Sequence, residues 1–198
     1  MARQQKRELR REDLAKAALR VIAQQGLAAA TVREVAREAG CSPGLITHYA
    51  RTMDDLLLAA AAYSASEAQD RIRPLVDIYQ GLEAVRRMSL ESLPLNAERV
   101  EAWKLWISFW DMSRPSAHIK RVLDAHVADQ RRWYRRLILS ARTLNEISPD
   151  VDPAHTTDSL MVFIYGMGVV TVLKPSSMPA RKQKALLENW IKTVLRPV

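Results

Sequence analysis

Apolar residues recur along this chain at the three- and four-residue spacing of amphipathic helices. Leu14, Ala17, Ala18, Val21 and Ile22 form the first such stripe, predicting a helix from about Asp13 to Gln24 that Gly26 ends. Leu27 to Ala30 connect to a second stripe, Val32, Val35, Ala36 and Ala39. Thr31 precedes it as an N-cap, and Glu34 stands at the spacing of a reciprocal capping box. Gly40 accepts the left-handed backbone of a helix end. Ser42 and Pro43 then fit the cap and first position of a third helix, Pro43 to Tyr49. Thr52 and Asp55 repeat the cap spacing before an Ala/Leu-rich helix expected to run to about Arg73, with a break or kink at Pro74.

The remaining stripes predict an all-α body. Gly81 and Pro94 bracket a helix over about Leu82 to Leu93. In Ala97 to Met112 the polar Lys104, Ser108 and Asp111 share a narrow stripe. Trp103, Trp106 and Trp110 fall within roughly 60° on another side, at about 100° per residue. A helix apolar nearly all round is a buried one, expected at the centre of the body. A long helix from Pro115 to about Arg142 turns Ile119, Val122, Leu123, His126, Val127, Trp133, Tyr134, Leu137 and Ile138 inward. Arg131, Arg132, Arg135 and Arg136 then read as a solvated face. Asn145 to Pro153 reads as a loop. Leu160 to Leu173 is apolar but only 14 residues long, short for a bilayer, and Gly166 and Gly168 would let another helix approach. Lys174 to Pro179 turn the chain into a last helix striped by Leu186, Leu187, Trp190, Ile191 and Val194.

Composition agrees with a globular, helical chain: 48% hydrophobic and 26% charged residues, six glycines and two phenylalanines in 198 residues. The net charge of +8 and pI near 9.9 call for an anionic partner, nucleic acid or an acidic membrane surface. Cys41 is the lone cysteine, compatible with a reducing cytoplasm. The start of the chain is basic (Arg3, Lys6, Arg7, Arg10, Arg11) with no apolar run of a secretory signal behind it. Such an arm is either a solvated tail or a reach along phosphates.

Two short capped helices joined by a Gly-containing turn form a helix-turn-helix, whose second helix enters a DNA major groove. With the helix before it, this gives a three-helix head over residues 1–52 and a helical-bundle body over 53–198, for effector binding and dimerisation. A helix leaving the head and entering the body could carry a movement between them. Two apolar C-terminal helices favour a homodimer built as a four-helix bundle, through Phe163, Met167, Val170, Leu187, Trp190 and Ile191. An enzyme is disfavoured: His48, His118, His126 and His155 are scattered, and no metal spacing or nucleophile motif is visible, so no cofactor is expected. A peripheral membrane-surface protein, or a ligand-binding helical protein without operator specificity, is the alternative. The absence of a basic amphipathic terminal helix counts against membrane binding.

The segment TVREVAREAGCSPGLITHY followed by an acidic helix start resembles the TetR family of transcriptional regulators. Residues 93–137, with their Trp-rich segment, resemble the C-terminal domain of BetI-type repressors. The resemblance implies repression of transcription in the cytoplasm and release by choline or a related cation. Ala50 replaces the family's usual Phe and Met53 its phosphate-contacting Lys; Arg51 is the nearest substitute charge. Thr31, Arg33 and Tyr49 are expected on phosphates, and Ser42, Gly44, Thr47 and His48 at base edges, with Pro43 among the DNA-binding residues as the start of the reading helix. A dimer would read a palindrome with half-sites one DNA turn apart, about 34–36 Å, or a multiple of that. In the body, Trp103, Trp106, Phe109, Trp110, Trp133, Tyr134 and Tyr165 are candidates for an aromatic effector pocket that attracts a quaternary ammonium. Each tryptophan could equally be ordinary core.

Overall fold

The computed structural model describes the backbone of residues 2–198 and side chains from Arg10 onward. Among the described residues there are nine α-helices and no strand, only an isolated bridge between Ile147 and Pro197. They are α1 (Ala2–Gln25), α2 (Val32–Glu38), α3 (Pro43–Tyr49), α4 (Met53–Ile78), α5 (Gly81–Ser92), α6 (Ala97–Ser113), α7 (Ala117–Thr143), α8 (Pro153–Leu173) and α9 (Ala180–Trp190). A wider turn, Ile191–Leu195, continues α9.

Two compact units result, Met1–Glu67 with Lys104–Asp124, and Ala68–Trp103 with Ala125–Val198. In the first, α1, α2 and α3 pack on one another. Their core holds Leu14, Val21, Ile22, Val35 and Ile46 with Leu56, Leu57, Leu105, Phe109, Ile119 and Leu123. This unit is therefore larger than a head of residues 1–52. It takes in the start of α4, most of α6 and the start of α7. In the second unit, Met88, Leu93, Leu137, Ile138, Leu160, Leu187 and Ile191 are buried.

Several element boundaries differ from the sequence expectation. The helix continues back through the basic arm to Ala2, and the side chains of Arg3, Lys6 and Arg7 lie outside the described residues. α4 runs through Pro74 to Ile78. α8 begins at Pro153, because the Asp152 carboxylate accepts from the Ala154 and His155 N–H groups at 3.1 Å each. At 21 residues it is long and apolar enough to cross a bilayer, which a segment of 14 is not. Much of its most apolar window is buried in the body, and Thr156, Thr157 and Thr171 are buried within it.

The turn between α2 and α3 shows why this sequence stops one helix and starts the next. Gly40 takes φ +63°, its N–H bonds the Arg37 carbonyl, and the Cys41 N–H returns to Ala36 O at 2.9 Å. These two bonds are a Schellman motif, which glycine accepts without the Cβ penalty of a left-handed residue. Thr31 Oγ1 accepts from Glu34 N at 3.3 Å, but the reciprocal half of the expected box is not formed. Thr31 N instead bonds Ala29 O at 2.8 Å, and Arg37 engages the Glu34 carboxylate at 2.7 Å. At α4 both halves are present: Asp55 N donates to Thr52 Oγ1 (3.1 Å) and Thr52 N to Asp55 Oδ2 (3.0 Å).

Candidate nucleic-acid interface and effector site

α3 is amphipathic over a single turn pair. Ile46 is buried and Leu45 half-buried, while Ser42, Pro43, Gly44, Thr47 and His48 are exposed. The apolar pair anchors the helix to the head, leaving the polar side chains on its outer surface. Ser42 occupies the cap conformation (φ −78°, ψ 148°), yet its hydroxyl makes no capping bond, so it is not consumed by its own helix. Thr47 Oγ1 donates to Gly44 O at 3.0 Å, which fixes the rotamer and turns the methyl away from that carbonyl. His48 and Tyr49 meet edge-to-face with centroids 5.1 Å apart. Arg11 Nη2 donates to Tyr49 O at 3.5 Å, tying α1 to the end of α3. Thr31, Arg33 and Arg51 are exposed beside this helix in sequence, with Thr31 already serving as the cap of α2.

The aromatic residues of the body do not share one environment. Trp103 is buried in the second unit: its Nε1 donates to Ser92 O at 3.0 Å, and its ring meets Tyr165 edge-on at 6.0 Å. Gly168 on α8 accommodates the indole, since a Cβ there would overlap the ring carbons Cε3, Cζ3 and Cδ2. The close approach foreseen at this glycine is thus made by a side chain of α6. Trp106, Phe109 and Trp110 belong to the other unit, where Phe109 is fully buried and the two tryptophans pack against the core. Trp133 is half-buried on α7.

One inward row of α7 is polar. His126, Gln130 and Tyr134, spaced by four, are all buried. Tyr134 donates to Ser92 Oγ at 3.2 Å, and burial pushes its phenol up to about 12. Tyr165 donates to Gln130 Oε1 at 2.8 Å, and burial raises its phenol as well. Burial drives His126 down to about 4, partly offset by Asp129 and reinforced by Arg71, so the imidazole is neutral at pH 7. Trp103, Tyr134 and Tyr165 with Ser92 and Gln130 thus form a neutral, aromatic and polar cluster. The sequence reading missed Gln130, whose signal was its position between two inward residues of one helical row.

The C-terminal residues expected at a partner interface divide by burial. Met167, Leu187, Trp190 and Ile191 are covered by the chain's own body, and Phe163 packs on Trp190 with centroids 6.1 Å apart. Val162 (72% exposed), Gly166, Val170 and Leu173 instead lie on the outer side of α8. The arginine run is largely paired: Arg131 with Asp158, Arg132 with Asp129, and Arg136 with Val76 O at 3.0 Å.

Residues 81–196 match the family described as BetI-type transcriptional repressor, C-terminal, and residues 14–60 match the TetR family of bacterial regulatory proteins. The chain is 27% identical to the regulator PksA of Bacillus subtilis over 195 residues, covering 98% of this chain and 94% of that one. It is 29% identical to BetI of Rhizobium meliloti, covering 95% and 90% respectively. Among solved structures, a transcriptional regulator from Saccharomonospora viridis in complex with choline superimposes with a TM-score of 0.87. That pair shares 20% identity and covers 94% of this chain and 97% of the other. A regulator from Haloarcula marismortui has a TM-score of 0.84 at 20% identity, covering 93% and 97%. A short capped helix-turn-helix, a polar outer face on α3 and these matches lead to one conclusion: the chain belongs to the TetR family, as a DNA-binding transcriptional regulator with a BetI-type C-terminal domain, and not an enzyme.

Proposed function

We propose that this chain is a homodimeric, cytoplasmic repressor that reads a palindromic duplex with α3 and leaves it when a small cation enters the body. The observation that carries the DNA half is the outer face of α3, where Ser42, Gly44, Thr47 and His48 are exposed while Ile46 holds the helix in place. Thr47 and His48 would contact base edges. Thr31, Arg33, Tyr49 and Arg51 would position the phosphates, with Arg51 taking the role of the lysine replaced by Met53. The net charge of +8 supplies the sequence-independent attraction.

A quaternary ammonium such as choline is the effector class favoured here. The support is the BetI relatives, the S. viridis regulator bound to choline, and the cluster of buried Trp103, Tyr134 and Gln130 with half-buried Tyr165. Indole and phenol faces attract a cation that cannot donate hydrogen bonds, by roughly 0.5–2 kcal/mol each. α4, like α6 and α7, is a continuous helix that contributes residues to both units, and each is a covalent route for coupling effector to operator. Selection of bound duplexes from a random pool, followed by choline titration of the resulting complex, tests both halves. A palindrome released by choline is expected. Enrichment of no duplex would remove the operator reading, and a complex indifferent to millimolar choline would remove the effector.

A further inference from the structure

We propose that the head carries a second small-molecule site, for an amphiphilic carboxylate, beside the DNA-reading helix. A cavity of about 680 Å³ opens in the first unit, within the size range of ligand pockets. Its floor is apolar, made by Leu14 of α1, Leu56 and Leu58 of α4 and Val122 of α7. Its rim is cationic: Arg11 and Arg51, both exposed, with His48 and Tyr49 between them in sequence. One carboxylate lines it, Asp55, and that group is committed to the Thr52 N–H at 3.0 Å as the α4 cap. Two guanidiniums over an apolar floor are complementary to a ligand with an anionic head and a hydrocarbon body. They are wrong for the quaternary ammonium proposed in the body. A guanidinium binds a carboxylate in a two-pronged, charge-assisted pair.

The location gives the site a consequence. His48, Tyr49 and Arg51 are cavity residues and also the residues assigned to DNA in the preceding section. An occupant holding Arg51 withdraws it from phosphate, so ligand and duplex weaken each other by the same factor. This competition rests on the DNA-binding reading, whereas binding of the ligand to the free protein does not.

Decanoate is the probe, with decanol as its uncharged counterpart, titrated into the full chain by calorimetry in the absence of DNA. Decanoate is expected to bind, with the Arg11→Gln variant weaker by about tenfold, the loss of one charged pair, and decanol weaker by at least as much, since it can pair with neither guanidinium. Ala62 lines the cavity at an exposed position of α4, so Ala62→Trp fills it from the solvent side. That variant should bind an operator duplex as wild type does and no longer bind decanoate. Ala62→Leu is the milder filler should the tryptophan disturb folding, and should weaken decanoate in the same direction. Equal affinity for decanoate and decanol, or decanoate binding that both fillers leave intact, would overturn the site. Decanoate binding by a protein that holds no duplex would leave the site standing and defeat only the DNA reading.

Discussion

Gly166 and Gly168 sit two residues apart on α8 with opposite surroundings, and each makes a prediction. At Gly168 an added methyl would strike the Trp103 ring, so Gly168→Ala should destabilise the chain by about 1–3 kcal/mol, the usual cost of overpacking. Tryptophan emission should shift with it. Among the described residues, no atom beyond its chain neighbours and the nearby backbone of its own helix lies within 4 Å of a Cβ at Gly166. Gly166→Ala should therefore leave the fold of the single chain intact, with any loss confined to pairing across α8 and so dependent on protein concentration, unlike the loss at Gly168. Urea unfolding of the two variants side by side decides this, and equal losses would contradict the assigned packing of Trp103. His126 makes a prediction in pH. Its imidazole is held down to about 4 by burial, so between that value and its ordinary 6.5 the unfolded chain binds the extra proton. Its contribution is full above about pH 6.5 and is lost as pH falls, amounting to about 3 kcal/mol at most. His126→Leu should flatten the dependence of unfolding free energy on pH over that window. An unchanged slope would show that other groups carry it.

Among the elements, the caps were the most legible part of the chain. Thr31, Gly40, Ser42–Pro43 and Thr52–Asp55 each mark a helix end in the structure, because a cap is a local contest among a few neighbouring backbone groups. What adjacent residues could not show was which bond wins where two compete. Glu34 stands at the right spacing to close a box, but Arg37 one turn later takes its carboxylate. The start of α8 was missed for a related reason. The sequence reading took Asn145 to Pro153 as loop and the apolar run only from Leu160, whereas Asp152, capping from outside, starts the helix at Pro153. Burial was legible as periodicity and illegible as partnership. Trp103, Trp106 and Trp110 lie on one side of α6, yet Trp103 belongs to the second compact unit and the other two to the first. Thr31→Ala removes the one side-chain acceptor at the start of α2 and should cost about 1 kcal/mol of stability. It should also weaken duplex binding without altering sequence preference, since α2 supplies phosphate contacts in the proposed mode. A panel of altered operators would read both effects, and a change of preferred sequence would contradict the assignment. In the same panel His48→Ala should flatten discrimination at one base pair per half-site by about 1–3 kcal/mol. Tyr49→Phe should weaken all duplexes alike.

At the scale of the whole molecule, the number of copies that bind together decides how the operator is read. A single α3 of seven residues reaches few base pairs, so in the proposed mode specificity depends on a second head held at fixed spacing. The surface that could hold it is the outer side of α8, where Val162, Gly166, Val170 and Leu173 recur at helical spacing and are exposed. Leu173 is 77% exposed, unusual for a leucine beside other apolar residues. A self-complementary stripe with a glycine in it suits close packing of two symmetry-related helices. The same stripe could instead meet a membrane, because α8 has the length and apolarity of a span. Val162→Arg separates the two cases. The side chain is already outside, so the variant should fold, losing only the part of its unfolding free energy that depends on protein concentration, and sedimentation should show a monomer where the wild type sediments as a dimer. Duplex binding should then fall steeply for a full palindrome and little for a half-site, as only the paired heads gain from linkage. A wild-type chain that sediments as a monomer, or a Val162→Arg dimer that binds the palindrome undiminished, would place the partner surface elsewhere.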